Sequence, residues 1–169
     1  SIQQTSDGGY IVGGTSDSFG PGGSDYWALK LNSDGTVAWQ KAYGAEYGQV
    51  AYSIRQTSDG GYIMAGWALT DAIPGIIDFG VVKLTNSGTI AWQKAYSLLN
   101  AGEEAGEDIA TSIQPTSDGG YIVAGWAWPF NGTVAEDFWL LKLFSDGTID
   151  WQKTYGGEVD DYAQSIQQT

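Results

Sequence analysis

The sequence predicts an all-β fold, a β-propeller segment of three four-stranded antiparallel blades. The heptapeptide TSDGGYI begins at positions 5, 57 and 116, so one unit is written three times in 169 residues. Every copy alternates short runs of β-forming residues with Asp-Gly or Ser-Gly pairs, which suit tight hairpin turns. Repeat periods of 52, 59 and 53 residues indicate a propeller or solenoid array, in which each unit is one supersecondary element.

The four strands of a unit follow one another in a constant order. In the first copy, SIQQT is a short strand, SDGG a turn and YIVGG the second strand. After a longer middle loop, DYWALKL is the third strand, NSDGT a second tight turn and VAWQKAY the fourth strand. Runs of this kind, bounded by Gly-containing turns, are typical of strands joined by hairpins. We therefore expect one antiparallel sheet per copy.

Alignment of the copies divides the chain into blade repeats. The repeats span residues 1–52, 53–111 and 112–164, and residues 165–169 repeat the opening SIQQT, so they are expected to begin a further repeat. Propellers typically have four or more blades. We expect either part of a larger ring, which the missing initiator Met favours, or half of a six-bladed homodimeric ring. Open sheet edges favour a homo-oligomer or a longer repeat array.

Loop lengths separate two faces of the predicted array. The turns after the first and third strands are short and uniform, whereas the middle loops and the blade-to-blade links vary, with SLLNAGEEAGEDIAT the longest link. In an up-and-down blade these two sets of connections lie on opposite faces. Variable loops on a rigid scaffold commonly carry binding function, so we expect binding on the variable-loop face.

Composition excludes several classes of function. The net charge is −13, which repels phosphate backbones and anionic lipids, so nucleic acid is not an expected partner. The chain contains no His and no Cys, which excludes Ser-His-Asp triads and thiolate or imidazole chemistry. No apolar run approaches the length of a membrane span, so direct membrane insertion is not expected. We predict no catalytic residue.

Candidate ligand-binding residues flank the middle loops. Asp25, Asp78 and Asp137 occupy equivalent points, each directly before an aromatic residue. One interpretation is a ring of carboxylates at the channel mouth, suited to a hard cation such as calcium or to sugar hydroxyls. The other is structural, with each Asp accepting backbone N–H groups at the start of its strand. The aromatic candidates in the same region are Trp67, Trp126 and Trp128.

Two blade-to-blade links are rich in acidic residues, GEEAGED at 102–108 and GGEVDDY at 156–162. Oxygen atoms converging there would suit calcium, although neither link has the order of an EF-hand loop. The interpretation that we favour for both links is a solvated acidic loop, with calcium binding as the alternative. Calcium is the one ion we consider, and no other cofactor is expected.

Trp and Lys recur strictly in the third and fourth strands. Trp39, Trp92 and Trp151 are predicted to lie buried between neighbouring sheets rather than to stack on a sugar. The lysines are predicted to pair with the repeated acids or to lie along aromatic surface, and not to perform chemistry. They are Lys30, Lys41, Lys83, Lys94, Lys142 and Lys153.

The stretch LNSDGTVAWQKAYG at 31–44 resembles the repeat of pyrroloquinoline-quinone-type propellers, in which a Leu, an Asp-containing Gly turn and a docking Trp follow one another. It recurs as LTNSGTIAWQKAY and LFSDGTIDWQKTYGG, the former with Asn86 and Ser87 in place of Ser-Asp. With the DGGYIVAG pattern, the chain is similar to propeller repeats of bacterial and archaeal cell-surface proteins. The resemblance implies a propeller fold at an extracellular or cell-surface location, but no particular activity.

The expected function is therefore that of a non-catalytic extracellular or surface module. It would bind a ligand or a protein, or act as a scaffold, through the variable-loop face, with protein and glycan as candidate partners. The alternative is the partial propeller of a glycan-acting hydrolase or a quinone-dependent oxidoreductase.

Overall fold

The computed structural model describes residues 1–21, 23–44, 47–69, 77–98, 106–128 and 135–169. In these ranges the regular structure is entirely β, and no helix is present that could cross a membrane. The strands are β1 Ile2–Gln4, β2 Tyr10–Ser16, β3 Asp25–Leu31, β4 Val37–Tyr43, β5 Gln49–Gln56, β6 Tyr62–Leu69, β7 Ile77–Leu84, β8 Ile90–Tyr96, β9 Ile109–Pro115, β10 Tyr121–Ala127, β11 Asp137–Leu143 and β12 Ile149–Tyr155.

The strands form three separate four-stranded antiparallel sheets, each made of four consecutive strands. We call them blade 1 (β1–β4), blade 2 (β5–β8) and blade 3 (β9–β12). The register repeats between blades, since Tyr10, Tyr62 and Tyr121 pair with Leu31, Leu84 and Leu143 respectively. The predicted fold class is confirmed, and the arrangement is consistent with a partial propeller. The strands β5 and β9 begin ahead of the aligned repeat starts at Ser53 and Ser112.

The repeated heptapeptide forms the same turn in each blade because its glycine has a conformation that other residues rarely adopt. Gly8, Gly60 and Gly119 have φ values of 81°, 79° and 83°. The preceding Asp carboxylate accepts the N–H of the glycine two residues later at 2.9–3.0 Å. This local bond closes the hairpin between the first two strands.

A buried lysine of the third strand ties each turn to its sheet. The ion pairs Lys30–Asp7, Lys83–Asp59 and Lys142–Asp118 each measure 2.9 Å, so the predicted pairing of these lysines with the repeated acids is confirmed. Partial burial raises the pKa of Asp59, but the Thr57 hydroxyl, Lys83 and the Gly61 N–H outweigh it and lower that pKa to about 2. The carboxylate is thereby held ionised.

The hydrophobic core lies between the blades, in one cluster at each junction. We call the surface of a blade that faces the following blade its front, and the opposite surface its back. At the first junction the front residue Tyr26 donates its hydroxyl to the Gly80 carbonyl at 3.1 Å. At the second junction the front residue Phe79 packs against the back residue Trp139, with ring centroids 4.2 Å apart.

The fourth strand supplies a second row of front contacts. Trp39 and Trp92 meet Tyr62 and Tyr121 of the following blade edge-on, with centroids 5.8 and 6.0 Å apart. Their predicted place between neighbouring sheets is confirmed, although both stay partly exposed. The same prediction is wrong for Trp151, which is 39% exposed. No sheet in the described part of the chain packs on the front of blade 3.

The segment after β12 lies alongside blade 3. Ile166 N–H donates to Ser112 Oγ at 3.3 Å, as Ile113 N–H donates to Ser53 Oγ at 3.3 Å one blade earlier. Gln168 likewise accepts the Ser117 N–H at 2.8 Å. The segment therefore lies beside β9 much as β9 lies beside β5. That residues 165–169 begin a further repeat stays a prediction.

Candidate functional site

The predicted site residues lie at the end of the blades where the middle loops and links meet, which we call the loop face. Asp25, Asp78 and Asp137 stand at the starts of β3, β7 and β11, and all three are buried. Beside each Asp, the chain that leaves the same blade after its fourth strand donates a backbone hydrogen bond of 2.7–2.8 Å. The acceptor is the carbonyl of the residue that precedes the Asp. The donors of these bonds are the N–H groups of Gln49, Asp108 and Asp161.

Asp25 and Asp137 are enclosed by nearby backbone. A Cβ atom at Gly20 or Gly44 would overlap the Asp25 carboxylate, and one at Gly156 would overlap that of Asp137. Among the described residues, neither Asp25 oxygen nor Oδ1 of Asp137 has a hydrogen-bond partner. Buried carboxylates of this kind need a ligand, a water or a backbone donor. Their predicted role in ligand binding stays a prediction.

Asp108, which belongs to the second link, is buried, contrary to the prediction of a solvated link. The carboxylate accepts the Leu98 N–H at 2.9 Å and also bonds the Trp128 N–H and the Ser97 hydroxyl. Burial raises the pKa of Asp108 to about 7, with the Asp78 carboxylate adding to the effect against the opposing N–H bond from Leu98. The interpretation as a solvated acidic residue is therefore wrong for Asp108, which is 2% exposed.

The structure describes only part of the two acidic links. Residues 102–105 lie outside the described part of the chain. In the third link, the Asp161 carboxylate accepts the Gly157 N–H at 3.0 Å. This bond joins the two ends of the link, as the bond from Leu98 N–H to Asp108 does in the second link. Within the described ranges no three acidic side chains converge as a metal site requires. Calcium binding stays a prediction.

The three candidate tryptophans flank the middle loops, as the sequence predicts, and each meets a blade-to-blade link. Trp126 packs edge-on against Tyr162, with centroids 5.5 Å apart. Trp128 lies over Gly106, since a Cβ atom built on Gly106 would be 2.8 Å from the Cβ of Trp128. The Trp67 ring lies over Gly48, 3.6 Å from where a Cβ atom of Gly48 would stand. All three are partly exposed. Their ligand-binding role also stays a prediction.

A cleft of about 240 Å³ opens at the loop face between blades 1 and 2. The buried residues Tyr26 and Gly80 line it, and its partly apolar wall includes aromatic, amide and aliphatic residues. The other lining residues are Tyr47, Gln49, Ala68, Leu69, Val81, Val82, Gln93, Lys94 and Ala95.

Gly80 lines this cleft at a position where the other two blades have Trp. The equivalent residues of blades 1 and 3 are Trp27 and Trp139, and Trp139 is fully buried in the second junction. At the first junction a Cβ atom on Gly80 would overlap the Tyr26 hydroxyl. The signal is visible in the sequence, because DFGVVKL has Gly where DYWALKL and DFWLLKL have Trp. Gly80 is therefore a site residue that the sequence-based predictions do not include.

The comparisons with known proteins add a fold and no activity. No protein-family model and no curated protein matches the chain. Among solved structures it is similar to the crystal structure of a protein of unknown function from Bacteroides caccae, with a TM-score of 0.54 and 14% identity. The match covers 90% of this chain and 43% of that one, so the chain spans less than half of its neighbour. At this identity the likeness shows the fold alone, an all-β fold of antiparallel four-stranded sheets.

Proposed function

We propose that this chain is a non-catalytic binding module of the cell surface, and that the cleft between blades 1 and 2 takes one or two rings of a neutral glycan. The observation that carries the proposal is Gly80, which lines the cleft at the position where blade 3 has the fully buried Trp139. The extracellular or surface location is part of the proposal and rests on the resemblance of the repeats to those of cell-surface propellers.

The wall of the cleft has the chemistry that a sugar ring requires. Tyr47 is 46% exposed and offers an aromatic face to the C–H side of a pyranose. The amides of Gln49 and Gln93 both donate and accept hydrogen bonds, as sugar hydroxyls do. The net charge of −13 disfavours acidic glycans. A neutral oligosaccharide therefore fits better than an anionic one.

Fewer observations support the two enzyme alternatives, a quinone-dependent oxidoreductase and a glycan-acting hydrolase. The likeness to quinone-type propellers covers the blade motif, and the chain has no Cys for a vicinal disulfide. The buried carboxylates Asp25 and Asp137 are enclosed, so they do not face each other across the cleft as the acid pair of a glycosidase does. A binding role is the simpler proposal.

The test is to fill the cleft with the side chains of the neighbouring junction. The double substitution Tyr26→Phe and Gly80→Trp reproduces the Phe79–Trp139 pair and removes the hydroxyl that would clash with a larger residue at 80. We expect affinity for a neutral oligosaccharide, selected on a glycan array and measured by calorimetry, to fall at least about tenfold, or about 1.4 kcal/mol.

The matched control is Tyr26→Phe alone, which leaves the cleft open and should keep affinity within about threefold of the parent. Circular dichroism would show that both variants keep the β fold. Undiminished binding by the filled variant would place the ligand elsewhere. A parent chain that binds no neutral glycan on the array would overturn the proposal.

A further inference from the structure

Two blade surfaces in the described chain have no neighbour, the front of blade 3 and the back of blade 1. The front aromatics Trp151 and Tyr155 are 39% and 51% exposed. On the back of blade 1, Tyr10 is partly exposed and Gly35 is exposed. The equivalent positions at the two internal junctions are buried or half-buried. The internal junctions therefore show what these surfaces are built to contact.

Each internal junction uses the same set of atoms. The tyrosine that ends the fourth strand donates its hydroxyl to the turn glycine of the next blade, Tyr43 to Gly88 at 2.8 Å and Tyr96 to Gly147 at 2.7 Å. The fourth-strand Trp lies against the same glycine, 3.0 Å from where a Cβ atom would stand. A side chain of that strand also donates to the turn carbonyl, Lys41 to Ser87 at 2.9 Å in the first junction and the Trp92 indole N–H to Ser145 at 3.2 Å in the second.

Each of the two open surfaces has one side of this junction. The front of blade 3 has the fourth-strand side chains, and the back of blade 1 has the turn glycine and the tyrosine that they contact. Trp151, Lys153 and Tyr155 occupy the front positions of Trp39, Lys41 and Tyr43. On the back of blade 1, Gly35 has the positive φ of 84° shared by the other two turn glycines, which are at 72° and 76°. Unlike them, Gly35 has nothing within 4 Å of a Cβ position. Tyr10 stands where Tyr62 and Tyr121 receive the edge of a Trp ring.

The third strands match as well. Phe138 and Trp27 repeat the residue types of the Phe79–Trp139 pair, which has a centroid distance of 4.2 Å in the second junction. Both are partly exposed, and Phe19 now stacks on Trp27 with centroids 6.1 Å apart. Phe19 is itself 50% exposed and has to leave Trp27 for Phe138 to approach.

We propose that the front of blade 3 docks on the back of blade 1 of a second copy of this chain, head to tail. In this contact Tyr155 donates its hydroxyl to the Gly35 carbonyl, and Trp151 packs between Tyr10 and the Gly35 turn. The surfaces are different patches, so the interface is heterologous and can repeat. The identical segments 1–5 and 165–169 compete for the strand position beside β2, so one of them is displaced.

This proposal is independent of the glycan site, because the cleft between blades 1 and 2 lies inside one copy. It is tested by sedimentation of the intact chain at moderate salt, which screens the charge of −13 that the copies share. We expect the parent to sediment at multiples of the 18.0 kDa chain mass. Trp151→Glu and Tyr10→Glu each place a charge in one half of the interface, and each should raise the dissociation constant at least about 30-fold.

An equimolar mixture of these two variants distinguishes head-to-tail docking from other association. Each variant keeps one intact half, so the mixture should form a dimer of twice the chain mass while either variant alone stays monomeric. Phe144→Ser is the matched control, because Phe144 is 51% exposed and its equivalents Asn32 and Thr85 are polar. It should associate like the parent.

If a Glu variant loses the parent's circular dichroism spectrum, Tyr155→Phe replaces it, since it removes only one hydroxyl and should weaken association severalfold. A parent chain that is monomeric at every accessible concentration overturns the proposal. So does an equal response of Trp151→Glu and Phe144→Ser, or a mixture of the two Glu variants that stays monomeric.

Discussion

At the scale of single residues, aspartates of this chain occupy opposite electrostatic settings. Asp7, Asp59 and Asp118 stand in the hairpin turns, where hydroxyl, lysine and backbone donors lower the pKa of each carboxyl. Asp108 lies in the interior, where burial raises its pKa to about 7. The same side chain therefore stabilises the fold through its charge in the turns and is costly to ionise beside Asp78.

Asp108 makes stability depend on pH near neutrality. Its folded pKa of about 7 exceeds the ordinary value of 3.8, so its stabilising effect is complete below pH 3.8 and is lost as pH rises towards 7. Asp108→Asn keeps oxygen to accept N–H bonds without the charge. We expect this variant to be more stable than the parent at pH 8, by up to about 4 kcal/mol, and to approach the parent near pH 4.

The measurement is urea denaturation at pH 4, 6 and 8, with Asp59→Asn as the control of opposite sign. The folded pKa of Asp59 is about 2, so its stabilising effect exists above pH 3.8 and is lost as pH falls through 2. Asp59→Asn should therefore be less stable than the parent at pH 8. A pH-independent difference between Asp108→Asn and the parent would contradict the buried, protonatable carboxyl.

At the scale of elements, the fourth strand acts as the connector between blades. Its Trp and Tyr alternate along one side of the sheet, so both reach the turn of the next blade. In β8, Trp92 donates its indole N–H to the Ser145 carbonyl at 3.2 Å and packs against Tyr121. In β12, every residue is exposed. The same Trp and Tyr pattern therefore contributes more to the free energy of unfolding in β8 than in β12.

This difference predicts unequal costs of truncation. Trp92→Ala should destabilise the chain by about 2–3 kcal/mol, somewhat below the loss for a fully buried Trp, because the side chain is half-buried. Trp151→Ala should cost less than about 1 kcal/mol when measured on the monomer at low concentration. Denaturation midpoints of the two variants provide the comparison. Equal losses would show that the fronts of blades 2 and 3 are equivalent in solution.

At the scale of the whole molecule, blade 2 is the best-covered unit. Blades 1 and 3 pack on its back and front, and five consecutive residues of β6 and seven of β7 are buried. Blades 1 and 3 each have one uncovered surface. In an array whose units contact only their neighbours, stability is the sum of the units and their junctions, so an internal unit is the last to open.

Native-state hydrogen exchange should therefore protect the amides of β6 and β7 most. We expect those of β1 and β12 to exchange fastest among the strands, since β1 has three residues and β12 is exposed throughout. Mass spectrometry of exchanged peptides, at a concentration where the chain is monomeric, supplies the measurement. Uniform protection over all three blades would indicate a single cooperative unit instead.

The sequence by itself determined the elements of this protein. The Asp-Gly turns, the four strands of each copy, the three sheets and the pairing of Lys30, Lys83 and Lys142 with the turn acids were all predictable. The physical reason is that these features are local or repeat with the strand period. A Gly with positive φ, an Asp two residues before a backbone N–H and alternating apolar residues specify a hairpin wherever it stands.

The tertiary structure alone decided which repeated residues differ in their surroundings. Trp151 follows the pattern of Trp92 but is exposed, because burial depends on whether another sheet lies in front. Asp108 looks solvated in an acidic link, yet it is buried against the starts of neighbouring strands. The Gly at position 80 is visible in the sequence, but only the structure shows that it lines a cleft together with Tyr26 of another blade. These outcomes depend on contacts between residues far apart in the chain, and a local pattern does not encode them.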